Sequence, residues 1–470
     1  MSEHATSSRS GPRKFWTFWT ILIASILGFL FILIVVYWLL VYAARRGIEN
    51  QVERIRSKGE PTSVSELARE PIPDERNVCA GVRDAIAFME ARQLPRPPSW
   101  RKGSKSPRPG PTLWHLSYEF VEFAAEGSST LEVDRARVVV ERHRKALDSI
   151  AEAVARPEHV PLVDYTSART LEPTNLVNGG NMTALLGTQA ILQALDGNGD
   201  AATESLLCAI RHAMAAQDHP TFADKVFTLN FLHASLNAVE GVARNGKLSA
   251  DNRARLIETL SSLDLVTQYR EGLIEERAML FEIWSQPDPS HVEHVVPLMY
   301  YQDIHQLIAF DNWWIETTAG DPWDAYAALR SRRSSVDGMM RWRYPIAVGL
   351  MLTFERSHVS LCYTVAQRDV TVVGLACQRY ESRHGAFPAR LADLVPDILT
   401  AVPVDPFTGK ELAYRLTPGA FIVYSVGENL TDDAGRGPYA GADDIAWPRV
   451  KRPPPRPRPR PPAPSKRRIH

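Results

Sequence analysis

The stretch that decides the fold of the carboxyl-terminal part of the chain runs from Leu361 to Trp447. It reads LCYTVAQRDVTVVGLACQRYESRHG (361–385), AFPARLADLVP (386–396), VPVDPFTGKELAYRLTPGAFIVYSVG (402–427) and ENLTDDAGRGPYAGADDIAW (428–447). Apolar residues in the first segment recur with the spacing of a helix that packs on a sheet. Gly385 is suited to end that helix. The order predicts a helix, a short helix, a turn, a hairpin and an acidic loop.

Turn chemistry supports the hairpin. The segment Asp405–Lys410 combines Pro406, which fixes φ, with Gly409, which permits positive φ. Two β-rich runs, 412–416 and 421–426, flank Thr417-Pro418-Gly419-Ala420. We therefore expect residues 361–447 to form a small α+β module with one long helix against an antiparallel ribbon.

A second decisive stretch lies near the amino terminus. Residues 15–44 contain no charged side chain, and the centre of this run, ILIASILGFLFILIVVYWLL (21–40), is almost wholly apolar. About 20 apolar residues suffice to cross a bilayer as a helix, and a signal peptide has a shorter apolar run. We predict an uncleaved transmembrane anchor at 15–44 after a polar segment at 1–14. The chain has no second run of this length, so we expect a single-pass protein whose partner is the membrane.

Basic residues on both sides of this run leave its orientation open. Arg9, Arg13 and Lys14 precede it, whereas a larger basic group follows it: Arg45, Arg46, Arg54, Arg56 and Lys58. A bare positive-inside count places the bulk of the chain in the cytoplasm, but long domains are translocated largely regardless of charge.

Between the anchor and the module, the pattern indicates a stem at 45–112 and a helical domain at 113–360. The stem includes an exposed Pro-rich basic loop at 94–111 and a capping signal in which Glu66 follows Ser63 by three residues. In the domain, the spacing predicts one helix over 133–155 and a helical hairpin from 182–195 and 202–216. Gly246 and Ser249 are expected to end one helix and begin the next.

No sequence pattern names a reaction. Asp196, Asn198 and Asp200 begin like a calcium-binding EF-hand loop, but positions six and twelve are Ala201 and Leu207, so a polar turn is favoured. No nucleophile elbow, phosphate-binding loop or dinucleotide fingerprint is present. We therefore expect no enzyme. The alternative is a metal-dependent enzyme with its site in the helical domain, and its only candidate residues are His291, Glu293, His294 and His305.

Composition adds two expectations. The formal net charge is zero, yet residues 449–470 carry nine Lys or Arg and no acid, among many prolines. Proline excludes helix and sheet there, so 448–470 is predicted to be a disordered basic tail. Such a tail can contact envelope proteins or anionic polymers by charge, and no specific nucleic acid is expected. The alternative is a solubilising tail with no dedicated partner. The four cysteines, Cys79, Cys208, Cys362 and Cys377, form no ligand pattern and are expected to be buried thiols.

Two longer stretches resemble membrane-anchored proteins of planctomycete-type bacteria. They are KGEPTSVSELAREPIPDERNVCAG (58–81) and DHPTFADKVFTLNFLHASLNAVEGVARNGKLSADNRARLIETL (218–260). This resemblance implies no activity.

A second resemblance concerns the opening stretch. The order RYESRHGAFPARLADLV, VDPFTGKELAYR, FIVYSVGEN and GADDIAW is similar to the carboxyl-terminal half of type II secretion major pseudopilins. The resemblance implies a final loop that binds Ca²⁺, with ligands at the Val426 carbonyl, Asn429, Asp443 and Asp444. Carboxylates, amides and carbonyls are the oxygen ligands that Ca²⁺ prefers, and a merely solvated acidic loop is the alternative. The family's domain lies outside the cytoplasmic membrane, so the resemblance favours an exported carboxyl terminus.

The chain also departs from that family. A long helical region separates the membrane segment from the module, and the amino terminus lacks the family's basic leader and the Glu that begins its membrane helix. Filament assembly is therefore not expected. The sequence predicts a mainly α protein of the cytoplasmic (inner) membrane, with a transmembrane helix, a helical domain and a pseudopilin-like α+β module at 361–447. Its expected role is structural, binding or assembly-related in the envelope, with a link to secretion or pilus systems.

Overall fold

A computed structural model describes residues 12–91, 113–125, 132–168, 171, 176–215, 219–246, 248–285, 297–338, 344–437 and 443–449. The described chain is mainly helical with one small sheet, as the sequence predicts. The helices are α1 Pro12–Ser57, α2 Val78–Glu90, α3 Leu113–Ala125, α4 Val133–Arg142, α5 Arg144–Ala153, α6 Leu176–Leu195, α7 Gly199–Ala215, α8 Phe222–Asn245, α9 Ala250–Ser261, α10 Leu265–Ser285, α11 Pro297–Thr317, α12 Pro322–Gly338 and α13 Pro345–His384. The strands are β1 Ala413–Thr417, β2 Ala420–Ser425 and β3 Ile445–Trp447.

Helix α1 contains the predicted membrane segment and continues beyond it to Ser57. Its apolar part is long and hydrophobic enough to cross a bilayer, and none of its most apolar window is buried within the fold. From Val41 onwards one face of the helix becomes covered, and Ile55 is 3% exposed. The same helix is therefore an exposed apolar rod at one end and a packed element of the fold at the other.

The stem is attached to the helical domain through charged side chains of α10. Arg277 pairs with Glu60, and the carboxylate of Glu282 accepts hydrogen bonds from the backbone N–H groups of Val64 (2.8 Å) and Ala168 (2.9 Å). The capping box expected from Ser63 and Glu66 is not formed, because Ser63 makes no side-chain cap bond and Glu66 instead accepts the N–H of Thr62 at 2.9 Å. The predicted basic loop at 94–111 lies outside the described residues.

The predicted helical hairpin is confirmed as α6 and α7, with the turn at Gly197 in the left-handed region. The expected stop at Gly246 and cap at Ser249 are also confirmed, because the Ser249 hydroxyl accepts the N–H of Asn252 at 3.1 Å.

The single helix expected over 133–155 is wrong, because the segment is divided at His143 into α4 and α5. The backbone N–H of His143 bonds to the Val140 carbonyl at 3.1 Å instead of the Val139 carbonyl. The Val139 carbonyl faces the His143 ring at 2.9 Å. A side chain that takes a helical carbonyl interrupts the backbone ladder at that turn.

Helix α13 connects the helical domain to the carboxyl-terminal module. Its first turn is capped from a distance by Asp303 on α11, whose carboxylate accepts the N–H groups of Ile346 (2.9 Å) and Ala347 (2.8 Å). It ends, as predicted, at Gly385 with φ of 75°. The helix crosses residue 360 without a break, and the buried apolar side chains on both sides of that point belong to one continuous core.

The module contains a three-stranded antiparallel sheet in the order β1-β2-β3. The predicted hairpin is confirmed, with Thr417 opposite Ala420 at the turn. The third strand, β3, lies where the sequence indicates only loop. Trp447 of β3 is 2% exposed and lies directly against Gly374 of α13, so that a β-carbon at Gly374 would come within 2.1 Å of the indole.

Candidate functional site

The acidic loop that follows β2 is the candidate site, and Asp405 fixes its starting point. Asp405 is 2% exposed and caps its own turn by accepting the N–H of Phe407 at 2.9 Å. Its carboxylate also accepts the Ser425 hydroxyl at 3.0 Å and the Val426 N–H at 3.0 Å. One buried carboxylate therefore joins the turn at 405–410 to the end of β2, where the loop begins.

Two of the predicted ligands use their side chains within the loop. The Asp443 carboxylate accepts the N–H of Glu428 at 3.0 Å. The Asn429 amide oxygen accepts the N–H of Thr431 at 2.7 Å, and its amide nitrogen donates to Asp433 at 3.0 Å. The Asp443 bond holds the two ends of the loop together, whereas the Asn429 bonds are local to its first half.

Glycines allow this close approach. Gly427 has φ of 68°, and a β-carbon there would lie 2.1 Å from the Asp443 carbonyl oxygen. Gly435 has φ of 77°, and a β-carbon there would lie 2.4 Å from the side chain of Ile422. Both positions exclude larger residues on steric grounds as well as backbone grounds.

Asp444 differs from the other loop carboxylates. It is 1% exposed, and one oxygen accepts the N–H of Gly435 at 2.7 Å. The other oxygen, Oδ1, is buried without a hydrogen-bond partner among the described residues. Burial raises the pKa of Asp444, the backbone N–H groups of Gly435 and Asp433 act in the opposite direction, and the charges of Asp433 and Asp432 raise it again. A cation beside Asp444 would satisfy the orphaned oxygen and offset this repulsion.

Asp432 forms the outer edge of the loop. Its carboxylate accepts two bonds from the Arg415 guanidinium, at 2.9 and 3.1 Å, and one from the Tyr424 hydroxyl at 2.9 Å. The backbone N–H of Ala434, followed by the Tyr424 hydroxyl, lowers the pKa of Asp432. Asp432 is therefore kept as an anion next to Asp444.

A polar cavity of about 420 Å³ opens beside the loop, between it and helices α12 and α13. The Tyr326 hydroxyl donates to the Glu428 carbonyl at 2.8 Å and so connects α12 to the loop. The lining is mainly polar: Tyr326, Leu329, Arg330, Glu355, Val359, Glu428, Asn429 and Asp443. Two of the four predicted ligands thus face open space.

The structure places the four predicted ligands in one loop but does not gather their side chains around a point. In the part of the chain that is described, no group of three or more His, Cys, Asp or Glu side chains is arranged to hold a metal ion. Residues 438–442, which complete the loop, lie outside the described residues.

The candidates for the alternative enzyme are only partly described. His291, Glu293 and His294 lie outside the described residues. His305 on α11 packs against α1, where a β-carbon at Gly47 would lie 3.1 Å from its ring. It lines a cavity of about 460 Å³ whose wall also includes Arg54, Asn312 and Glu316.

A buried polar network ties the end of the module to α8, and no local sequence signal marks it. The Arg449 backbone N–H donates to the Glu240 carboxylate, and the Arg449 guanidinium lies 3.3 Å from the same carboxylate. Arg449 also donates to Asn237, which in turn accepts from the Gln367 amide of α13 at 2.6 Å. The pairing is long-range, so it emerges only once α8, α13 and β3 are packed together.

All four cysteines are free thiols. Cys208, Cys362 and Cys377 are buried as expected, and Cys79 is half-buried. Burial raises the pKa of the Cys208 and Cys377 thiols to about 12, so neither is a thiolate at neutral pH.

Comparisons of the chain with protein-family models, with curated proteins and with solved structures find no match.

Proposed function

We propose that this is a single-pass protein of the cytoplasmic membrane with a structural, binding or assembly role in the cell envelope. The observation that carries the proposal is the continuity of α1, which is apolar and largely exposed from Trp19 to Leu40 and becomes a packed element of the fold from Val41 onwards. An exposed apolar surface of that size is stable in lipid and not in water. A helix that enters the fold without a linker also fixes the folded part close to the membrane.

The proposed side of the membrane is the exported side. The resemblance of residues 361–447 to pseudopilins supports it, because that family's domain lies outside the cytoplasmic membrane. A link to secretion or pilus systems rests on the same resemblance. The role is non-catalytic, and the part of the basic tail that follows Arg449, residues 450–470, offers positive charge to envelope proteins or anionic polymers, whereas Arg449 itself is paired with Glu240.

Alkaline extraction of membranes tests the anchor. The full chain should remain in the membrane pellet, whereas a variant that lacks residues 15–44 should be released or should aggregate outside the membrane. Quantitative release of the full chain by alkali would refute the anchor.

We also propose that the acidic loop binds Ca²⁺, with Val426, Asn429, Asp443 and Asp444 as its ligands. The orphaned buried oxygen of Asp444 supports this, as does the repulsion that the nearby Asp432 and Asp433 exert on the charge of that carboxylate. The ion would supply a positive charge at the centre of the loop and hold its two ends together. Calcium sites also use carbonyl and amide oxygens, which Val426 and Asn429 provide.

Thermal unfolding of the detergent-solubilised protein with Ca²⁺ or with a chelator tests this second proposal. Ca²⁺ should raise Tm, because an ion that binds only the folded state stabilises it by mass action. Asp444→Asn should abolish the shift. The matched control is Asp397→Asn, which removes an exposed carboxylate of the same module away from the loop and should keep the shift. Equal melting with Ca²⁺ and chelator for the unaltered protein would eliminate the proposal.

A further inference from the structure

The contacts between α1 and α11 place one end of the folded region at the level of the membrane segment. His305 packs on Gly47, the Asn312 amide donates to Gln51 at 3.4 Å, and Lys58 donates to Glu316 at 3.2 Å. Residue numbers rise together along both helices in these pairs. The two helices therefore run parallel, and α11 begins at the end nearest the membrane.

The register of this pair gives the depth of the first turn of α11. Partners across the pair differ by 258 to 261 in residue number. On that register Pro297 lies level with residues 36–39 of α1, and Tyr301 lies level with residues 40–43. The first level falls in the last turn of the apolar run 21–40, and the second falls at its end and in the uncharged residues that follow. The run 21–40 alone is long enough to cross the hydrocarbon layer of about 30 Å.

Burial along α1 agrees with this register. Side chains from Trp38 to Leu40 are exposed, but Val41 is 6% exposed. The fold therefore covers α1 up to a point inside the uncharged segment. Further along α1, from Arg45 onwards, a groove of about 300 Å³ lies between α1, α10 and α11, with Tyr300 and Tyr301 among its lining residues.

The chemistry of this end of α11 suits the membrane interface. Its first residues are Pro-Leu-Met-Tyr-Tyr (297–301), with no acidic side chain in the first turn. Tyr301 is partly exposed and packs edge to face on the buried Tyr300, with ring centroids 5.5 Å apart. Tyrosine is enriched where apolar and wet layers meet. On α1, Arg45 and Arg46 share the single carboxylate of Glu49, which leaves positive charge at the level of the headgroups.

We propose that the amino-terminal turn of α11, Pro297–Tyr301, is inserted in the interfacial layer of the bilayer beside α1, and that its partner is phospholipid. The folded region is then seated on the lipid surface in one orientation instead of hanging from a flexible stalk. The inference rests on the membrane anchoring proposed above.

Site-directed nitroxide labelling of the full chain in phospholipid vesicles tests the proposal. Cys79 is replaced by Ser, because it is the cysteine that is not buried. Single labels are then placed through Met299→Cys, Phe31→Cys and Ala309→Cys. Oxygen, which concentrates in the bilayer, and a water-soluble nickel chelate report the depth of each label by collisional relaxation.

The label at Met299 should be protected from the nickel chelate and relaxed by oxygen, whereas the label at Ala309 should show the opposite. Ala309 is exposed and lies ten residues, or about 15 Å, further along α11. A label at Met299 that is as open to the nickel chelate as the label at Ala309 overturns the proposal. Leu298→Cys provides a second probe of the same turn if Met299→Cys fails to fold.

The label at Phe31, which is 66% exposed at the centre of the apolar run, distinguishes the anchoring of α1 in the membrane from the seating of α11 at its surface. Protection at Phe31 without protection at Met299 refutes the seating of α11 alone. Access of the nickel chelate to Phe31 refutes the anchoring, and the seating of α11 with it.

Discussion

Asp311 on α11 is a buried carboxylic acid that the fold does not satisfy. It is 4% exposed, and neither of its oxygens has a hydrogen-bond partner among the described residues. Burial, followed by the proximity of Glu276, raises its pKa well above the ordinary value, although Arg277 acts in the opposite direction. Asp303 on the same helix is also buried, but both of its oxygens cap α13.

Asp311→Asn should stabilise the protein more as the pH rises. The pKa of Asp311 is higher in the folded state than in the unfolded state, so below about pH 4 both states are protonated and ionisation of the residue makes no difference to stability. Above that pH the unfolded state ionises first, and the folded protein loses up to about 1.4 kcal/mol per pH unit until the folded pKa is passed. The Asn variant lacks this loss. Denaturant unfolding at pH 4 and pH 8 measures the difference.

Asp397→Asn is the control for this experiment, because Asp397 is exposed and its replacement should change stability little at either pH. An Asp311→Asn variant that is destabilised equally at both pH values would contradict the account of Asp311 as a neutral acid.

At the scale of secondary structure, local chemistry determined what the sequence could predict. The hairpin at 417–420, the cap at Ser249 and the stop at Gly385 each depend on a few adjacent residues, so they could be read directly. The strand β3 has only three residues after an acidic run, and it exists because β2 offers it an edge. The early start of α13 at Pro345 depends on Asp303, which is distant in sequence.

In the candidate site, too, features set by neighbouring residues could be predicted from the sequence and features set by long-range packing could not. The acidic residues of the loop were identifiable from composition and resemblance. The roles of Asp405 and of the orphaned oxygen of Asp444 depend on burial, which requires the packed fold. The network from Arg449 to Glu240 likewise joins residues of distant elements, so no spacing rule could have found it.

The contact between α13 and β3 gives a sharp test of the packing. Gly374→Ala should destabilise the protein by about 1–3 kcal/mol or more, because the added methyl group would overlap the rigid, buried indole of Trp447. Gly349→Ala on the same helix is the matched control, since nothing lies within 4 Å of its β-carbon position. It should be neutral or stabilising by up to about 1 kcal/mol, because alanine favours helix.

Chemical unfolding of the two alanine variants decides between these expectations. Equal stability of Gly374→Ala and Gly349→Ala would mean that Trp447 does not pack on α13 as described. Loss of the module alone, with the helical domain still folded, would instead show that the core at 345–384 is not one cooperative unit.

At the scale of the whole molecule, the membrane segment, the stem and the helical domain form one connected structure. Helix α1 supplies both the apolar span and the surface on which α11 packs, while Arg277 and Glu282 of α10 hold the stem. The sequence predicted the span at 15–44 but assigned 45–112 to a separate stem. Only the position of α11 reveals that residues 45–57 of that stem belong to the packed fold.

We propose above that the folded region lies on the exported side of the membrane, and paired reporter fusions test this most directly. Two fusions are made to residues 1–449, each with its reporter directly after Arg449. One reporter is alkaline phosphatase, which is active only after export, and the other is a green fluorescent protein that is dark after export. We predict active phosphatase and no fluorescence. Strong fluorescence with inactive phosphatase would place the fold in the cytoplasm and contradict the account.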